Sequence, residues 1–133
     1  PTGNMYMNRI IVHGSATYAH QDTTAKDIDR WHKQRGWSGI GYHFVIRRNG
    51  YMEAGRPLDK PGAHAKGFNH EMGVCLIGGL GEDGEPEDNF TTEQFETLRV
   101  LVSLRPELKV VGHCDLPGVT KSCPCFNVKS VLL

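Results

Sequence analysis

Two segments near the end of this chain contain the side-chain types that bind metals. The segment VVGHCDLPG contains His113, and the segment TKSCPCF contains Lys121, Cys123 and Cys125. Imidazole and thiolate are the usual zinc ligands in proteins. Cys123 and Cys125 are separated by one residue, which is too close for an unstrained disulfide between them. A metal ligand is therefore the more economical explanation of at least one thiol, with disulfide pairing left as the alternative.

A second histidine stands in an equivalent place. The apolar segment RIIVH ends on His13, and the segment KVVGH ends on His113. Both segments are predicted strands, and in open sheets ligand sites lie just beyond the carboxyl ends of strands. A single strand-end histidine more often belongs to the core, whereas two of them followed by a cysteine-rich loop favour a metal site. Two histidines and one cysteine would leave a fourth tetrahedral position open, as in catalytic zinc sites.

The helices that help to position these side chains follow from the spacing of apolar residues. After the candidate N-caps Thr23 and Thr24, the segment AKDIDRWHKQRG has helical spacing and a stop signal at Gly36. Thr91 and Thr92 begin a second predicted helix, TTEQFETLRVLVSLR, which a proline closes. The segment FNVKSVLL predicts the start of a terminal helix.

The remaining apolar segments predict strands. The segment GYHFVIRR alternates its apolar side chains and turns at Asn49 and Gly50 into YMEAG, which predicts a β-hairpin. The run MGVCLIGG predicts a buried strand with Cys75 as a buried thiol. Together the elements predict an α/β fold, a single domain over residues 1–133 with a mixed central sheet flanked by helices.

Composition excludes several classes of protein. The chain is 38% apolar, with 15 basic and 15 acidic residues, which fits a globular domain and gives no broad attraction to nucleic acid or anionic lipid. No apolar run approaches the roughly 18 residues of a membrane span. A literal GxGxxG occurs at residues 79–84, but the surrounding acidic side chains would repel a pyrophosphate and no helix follows. We therefore expect no nucleic-acid or membrane partner, and a monomer.

Several motifs occur together and in a fixed order. They are IIVHGSAT, WHKQRGW, GYHFVI, NGYMEAGR, GAHAKGFN, MGVCLIGG, VVGHCDLPG and KSCPCF. In this order they resemble the zinc-dependent N-acetylmuramoyl-L-alanine amidases, and in particular the T7 lysozyme-like phage endolysins. That family shares its fold with peptidoglycan recognition proteins. The resemblance spans about residues 9–128, nearly the whole chain.

The resemblance implies roles for individual residues. His13, His113 and Cys123 match the zinc ligands of such amidases. Tyr42 matches the tyrosine that assists the metal-bound water and the tetrahedral intermediate, and Lys121 matches the lysine that supports the same charge. The implied cofactor is Zn²⁺.

The sequence also suggests roles for residues around the proposed ligands. His64 resembles a histidine that lines the substrate groove. Cys125 is an alternative to Cys123 as the metal ligand, although Cys123 precedes the proline as the family ligand does. If Tyr42 faces the metal, His43 must face the other way, which predicts a core role or a place behind the site. Asp115 is expected either to orient a ligand or to bridge a loop.

The implied function is hydrolysis of the amide bond between the lactyl group of N-acetylmuramic acid and L-alanine in peptidoglycan, and hence lysis of the bacterial cell wall. Arg56 and Lys66 are candidates to pair with carboxylates of the stem peptide, with plain surface charge as the alternative. A non-catalytic peptidoglycan-binding module is the first rival function. The second rival is a structural zinc or disulfide domain that acts as an interaction protein, which would predict a closed site with a fourth side-chain ligand such as Cys114 or Cys125.

The location follows from the same resemblance. The N-terminal segment lacks an apolar signal core. We therefore expect a phage or prophage endolysin that stays in the bacterial cytoplasm until lysis and then acts on the cell wall. A periplasmic or secreted enzyme whose signal peptide had been removed is the alternative.

Overall fold

The computed structural model of the chain describes residues 7–132. Its strands are β1 (Arg9–Gly14), β2 (Thr17–Tyr18), β3 (Phe44–Ile46), β4 (Met52–Ala54), β5 (Met72–Leu76), β6 (Gly79–Leu80) and β7 (Lys109–Gly112). Its α-helices are α1 (Ala25–Gln34), α2 (Thr92–Leu104) and α3 (Val128–Val131). A five-stranded sheet has the order β4-β3-β5-β1-β7, and β2 and β6 form a separate two-stranded sheet.

The central sheet is mixed, as predicted. Strand β1 pairs in parallel with both β5 and β7, and β5 pairs in parallel with β3. Only β4, the second strand of the predicted hairpin, runs antiparallel to its neighbour β3 among the described strands. Ile10, Ile11 and Val12 of β1 have no exposed surface, because a strand in the middle of a parallel sheet is covered on both faces.

The two faces of the sheet carry different layers. Ile10 and Val12 belong to one apolar cluster with Leu98 of α2 and Val128 of α3. On the opposite face, Ile28 of α1 packs in a second cluster with residues of β3 and β5. Because side chains alternate along a strand, His13 of β1 points to the α1 face, away from α2 and α3. The site therefore lies on the face of the sheet that carries α1.

Both long helices begin at the threonines that the sequence indicated. Thr24 caps α1 and Thr91 caps α2, each in a capping box with the side chain of the third helical residue. Gly36 follows the end of α1 with a φ of 87°, a left-handed conformation that glycine adopts without steric cost. The short terminal helix was also predicted correctly.

Two strands are shorter than the sequence predicts. The segment 41–48 is a strand only from Phe44 to Ile46, because Gly41 and Tyr42 accept hydrogen bonds from the 56–63 loop, outside the regular pairing. The run 72–79 leaves the sheet after Leu76, since Gly78 has a φ of 134° and turns the chain toward β6. In both segments the apolar pattern of the sequence extends beyond the strand, so the pattern does not show where the strand ends.

The rejected GxGxxG segment is a tight turn. Gly84 has a φ of 80° and donates a backbone hydrogen bond to Gly81, and the acidic residues Glu82 and Asp83 are exposed. Across residues 7–132, the structure has no helix with the length and apolar character required to span a membrane.

Candidate metal and substrate site

Three side chains with metal-binding atoms converge at the carboxyl ends of β1 and β7. His13 is the fifth residue of β1, His113 begins a single 3₁₀ turn directly after β7, and Cys123 lies in the loop before α3. One ligand atom from each residue lies within 4.8 Å of the others. These are the three residues that the sequence proposed as ligands, and the structure brings them together.

The sheet itself accounts for the proximity of the two histidines. Val12 of β1 and Gly112 of β7 are register partners in a parallel pair, so the residues that follow them, His13 and His113, lie at the same level at the carboxyl end of this pairing. Asp115 accepts a hydrogen bond from the backbone N–H of Gly112 at 2.8 Å. Asp115 therefore holds the turn that carries His113, which is the loop-bridging role that the sequence left open.

The third ligand is placed by the loop that follows. The backbone N–H of Cys114 donates to the carbonyl oxygen of Cys123, which ties the loop to the 3₁₀ turn. Sγ of Cys123 lies 3.4 Å from the backbone nitrogen of Gly14 and 3.9 Å from Nδ1 of His13. Sγ of Cys125 instead lies 3.5 Å from the carbonyl oxygen of Gly79. The geometry thus directs Cys123, and not Cys125, toward the histidines.

The donor set fits a zinc ion. Two imidazoles and one thiol are a common zinc set, and within the described residues Cys114 and Cys125 do not join the group. Burial raises the pKa of the Cys123 thiol, while the Gly14 N–H lowers it. Burial likewise lowers the pKa of His13 and His113. Without a cation the site therefore favours uncharged groups, and a bound cation would favour the thiolate.

Tyr42 lies beside the three side chains. Its ring centroid is 5.1 Å from that of His13. Burial, followed by the proximity of the Cys75 and Cys123 thiols, raises the pKa of Tyr42 well above its usual value. The phenol therefore keeps its hydrogen at neutral pH and can act as a hydrogen-bond donor.

Two cavities meet at the site. One, of about 490 Å³, is lined by His13, His32, Arg35, Trp37, Tyr42, Ala63, His64, Ala65, Lys66, Gly67, Asn69, His113 and Lys121. The other, of about 290 Å³, runs from Tyr42 and Lys121 past Cys123 to Leu80 and Pro86. Arg35, Tyr42 and Lys121 line both. The result is a continuous groove across the three metal-binding side chains, lined by basic and neutral residues.

His64 lines this groove, as the sequence suggested, but its nitrogens are engaged elsewhere. Nδ1 lies 3.0 Å from Nε2 of His13, and Nε2 lies 3.0 Å from the carbonyl oxygen of Glu71. Burial lowers the pKa of His64 to about 4. A ligand in the groove can therefore contact the edge of the ring, while neither nitrogen is free to bind it.

His43 is a core residue, one of the two roles predicted for it. It is 1% exposed, its Nδ1 accepts from the backbone N–H of Gly73, and its Nε2 donates to the carbonyl oxygen of Lys60.

Arg56, a candidate for substrate binding, instead donates to the carbonyl oxygens of Gly39, Ile40 and Pro61. Its guanidinium holds the loop behind the groove. Lys66 is exposed, and it remains the candidate for binding a carboxylate of the stem peptide.

The sequence did not single out His32 and Trp37, which line the groove. Nδ1 of His32 accepts from the backbone N–H of Gly41 at 2.9 Å. The His32 ring packs at a tilt of 59° against that of Trp37, with centroids 4.6 Å apart. Burial and the nearby Arg35 lower the pKa of His32. Three groove residues, His32, Arg35 and Trp37, occur close together near the end of α1. Their spacing in the sequence does not show that this part of the helix borders a cavity.

The fold and this site define an amide hydrolase class. Residues 3–126 match the sequence model of the family described as N-acetylmuramoyl-L-alanine amidase, so the chain belongs to that family. It is 46% identical over 130 residues to an endolysin of Klebsiella phage KP32, and 43% identical over 123 residues to an endolysin of Escherichia phage T7. These alignments cover 92% and 90% of this chain, and 83% and 82% of the relatives.

Solved structures agree with this placement. An endolysin N-acetylmuramoyl-L-alanine amidase, LysCS from Clostridium intestinale, is similar with a TM-score of 0.79 and 31% identity, covering 98% of this chain and 84% of that one. The Drosophila protein PGRP-LB shares the fold, with a TM-score of 0.76 at 24% identity, covering 93% and 78%. The predicted family, fold and enzyme class are thereby confirmed: the chain is an N-acetylmuramoyl-L-alanine amidase of the T7-like endolysin type.

Proposed function

We propose that this amidase uses one zinc ion to cleave the amide bond between the lactyl group of N-acetylmuramic acid and L-alanine in peptidoglycan. The observation that carries the proposal is the convergence of His13, His113 and Cys123, which line the two adjoining cavities and have ligand atoms within 4.8 Å of one another. Three protein ligands leave one coordination position for water or substrate. A zinc ion held by these residues would act as a Lewis acid toward the scissile carbonyl and would lower the pKa of a bound water toward about 7.

In this proposal Tyr42 and Lys121 stabilise the charge that develops on the carbonyl oxygen of the substrate. Tyr42 is suited to donate because its raised pKa keeps the phenol protonated. Lys121 lines both parts of the groove, and its positive charge helps burial to lower the pKa of His113. Two donors aimed at one oxygen match the arrangement by which hydrolases lower the barrier to acyl transfer.

Both rival functions predict a different site. A pure binding module needs no metal ligands, yet both histidines and the cysteine are present and close together. A closed structural site needs a fourth side chain, yet Cys125 Sγ lies against the Gly79 carbonyl. Glycoside hydrolysis is also disfavoured, because it uses a pair of carboxyl groups. The carboxylate of Asp115, close to His113 in sequence, instead accepts a hydrogen bond from the Gly112 backbone.

We also propose the remaining organisation of this enzyme. Residues 1–133 form a single amidase domain that acts as a monomer on peptidoglycan and has no nucleic-acid or membrane partner. The balanced charge of 15 basic and 15 acidic residues supports this choice of partner. The similarity to phage endolysins supports a protein that waits in the bacterial cytoplasm until lysis and then reaches the cell wall.

The test of this function is the chemistry of the digest. Purified peptidoglycan treated with the zinc-loaded protein should yield stem peptides with a new free alanine amino terminus, and intact glycan strands without new reducing ends. Mass spectrometry separates these products. New reducing ends without new amino termini would refute the amidase proposal, and bound but uncut peptidoglycan would favour the binding module.

A further inference from the structure

The two ring nitrogens of His64 have different partners. Its Nε2 lies 3.0 Å from the backbone carbonyl oxygen of Glu71. A carbonyl oxygen only accepts, so Nε2 of His64 must carry the hydrogen. In the neutral ring the other nitrogen, Nδ1, then has a lone pair and no hydrogen. That Nδ1 lies 3.0 Å from Nε2 of His13, and it can only accept a hydrogen bond there.

This assignment determines where His13 carries its own hydrogen. Since Nδ1 of His64 accepts, Nε2 of His13 must donate, and a neutral imidazole with hydrogen on Nε2 has none on Nδ1. Nδ1 is the atom that lies 3.9 Å from Sγ of Cys123. We propose that His64 is a positioning residue that fixes the tautomer of His13, so that Nδ1 of His13 is presented as a metal ligand before the metal arrives. This inference rests on the proposed metal site.

The surroundings of His64 hold its ring in the required orientation. The side-chain oxygen of Asn69 accepts from the backbone N–H groups of His64 and Ala65 at 2.8 and 2.9 Å. Behind the ring, a Cβ atom at Gly73 would lie 2.6 Å from two carbons of His64. The ring can take its place only because residue 73 has no side chain. The loop and β5 together therefore aim His64 at His13.

A substrate-binding role for His64 makes a different prediction. If His64 acted by hydrogen-bonding the substrate, its loss would weaken substrate binding and leave the metal site unchanged. Its nitrogens are both occupied within the protein, so its loss should act on His13. Mutating the hydrogen-bond partner of a metal-binding histidine typically lowers metal affinity by about 10–100-fold. Zinc affinity therefore distinguishes a positioning role of His64 from a substrate-binding role.

The first measurement uses the unaltered, metal-free protein. Two-dimensional NMR of the protein with ¹⁵N-labelled histidine should show hydrogen on Nε2 of both His13 and His64. A coupling across the hydrogen bond should also connect Nε2 of His13 with Nδ1 of His64. Hydrogen on Nδ1 of His13 would overturn the proposal without any variant being made.

The second measurement removes the hydrogen-bonding groups of His64. In His64→Leu we expect zinc to bind about 10–100-fold more weakly in chelator competition, and metal-free His13 to show a mixture of tautomers. His64→Gln should recover part of both, because an amide can accept and donate. His20→Leu, at an exposed histidine outside the groove, is the matched control. Unchanged zinc affinity together with an unchanged His13 tautomer in His64→Leu would also overturn the proposal.

Gly73→Ala provides an independent variant in which His64 remains present but its ring is displaced. The same direction of change is expected, and a folded Gly73→Ala protein with the parent tautomer and zinc affinity would count against the proposal. Zinc binding by the unaltered protein is measured alongside. If it binds no zinc, the proposed function fails, while the tautomers of the metal-free protein still decide the inference on His64.

Discussion

Val12 and Gly112 are direct partners in the parallel pairing of β1 and β7. His13 and His113, which follow them, therefore lie side by side at the carboxyl end of this pairing, with ring centroids 4.6 Å apart. Parallel pairing is what makes this possible, because the carboxyl ends of parallel strands lie at the same edge of a sheet. The loop that follows carries Cys123, the third proposed metal ligand.

The first prediction separates the two neighbouring thiols. Cys123→Ala should lose stoichiometric zinc, because only two protein ligands remain. Cys125→Ala should keep it, because Sγ of Cys125 is directed to the Gly79 carbonyl. Metal analysis after dialysis gives the result for both variants. Full zinc occupancy in Cys123→Ala would contradict the ligand assignment.

The second prediction separates catalysis from metal binding. Tyr42→Phe and Lys121→Ala should each keep zinc and fold, yet lose on the order of 100-fold or more in kcat, because each removes a donor to developing charge. Tyr51→Phe is a matched control, since Tyr51 is 62% exposed and lies outside the groove. Steady-state kinetics on muropeptides provides the readout. A folded variant that loses zinc, or one with parental kcat, would disprove the assigned role.

The third prediction concerns metal removal. A ligand that binds only the folded state stabilises it by about 4 kcal/mol at 1,000 times its Kd, so chelation should lower Tm by several degrees. The metal-free protein should still unfold cooperatively, because the apolar clusters on both faces of the sheet contain no metal ligand. Calorimetry with and without chelator tests both statements. An unchanged Tm would argue against a folded-state metal site.

The fourth prediction is a loss of stability in acid. Burial lowers the pKa of His43 and also that of His32. Below the usual histidine pKa of about 6.5, the unfolded chain therefore binds protons that the folded chain does not. The free energy of unfolding should be highest above about pH 6.5 and should fall as the pH drops below it.

Urea titrations of the metal-free protein at several pH values measure this slope. His43→Gln should reduce the slope below about pH 6.5, although it also loses the hydrogen bonds of His43 to Gly73 and Lys60. His20→Gln, at an exposed histidine, is the comparison. A parental slope in His43→Gln would show that His43 is not among the histidines that cause the loss of stability.

Much of the fold could be predicted because its signals are local. Thr24 and Thr91 each precede an amphipathic segment, and both cap helices in the structure. The Asn49-Gly50 pair marks the hairpin between β3 and β4. Such features depend on a few consecutive residues, so they are visible in the sequence. The ends of β3 and β5 were harder to predict, because hydrogen bonds from the 56–63 loop shorten β3 and the turn at Gly78 ends β5.

The sequence by itself also determined the family and the candidate ligands, since the ordered motifs and the strand-end histidines are properties of the chain. Only the tertiary structure decided which thiol faces His13 and what His64 contacts. Cys123 and Cys125 are chemically identical side chains two positions apart in the sequence. The hydrogen bond from the Cys114 N–H to the Cys123 carbonyl oxygen helps to orient this loop, and with it the two thiols. His64 meets His13 across 51 residues of sequence. Contacts of this kind arise from packing between loops and strands, and they cannot be predicted from the spacing of neighbouring residues in the sequence.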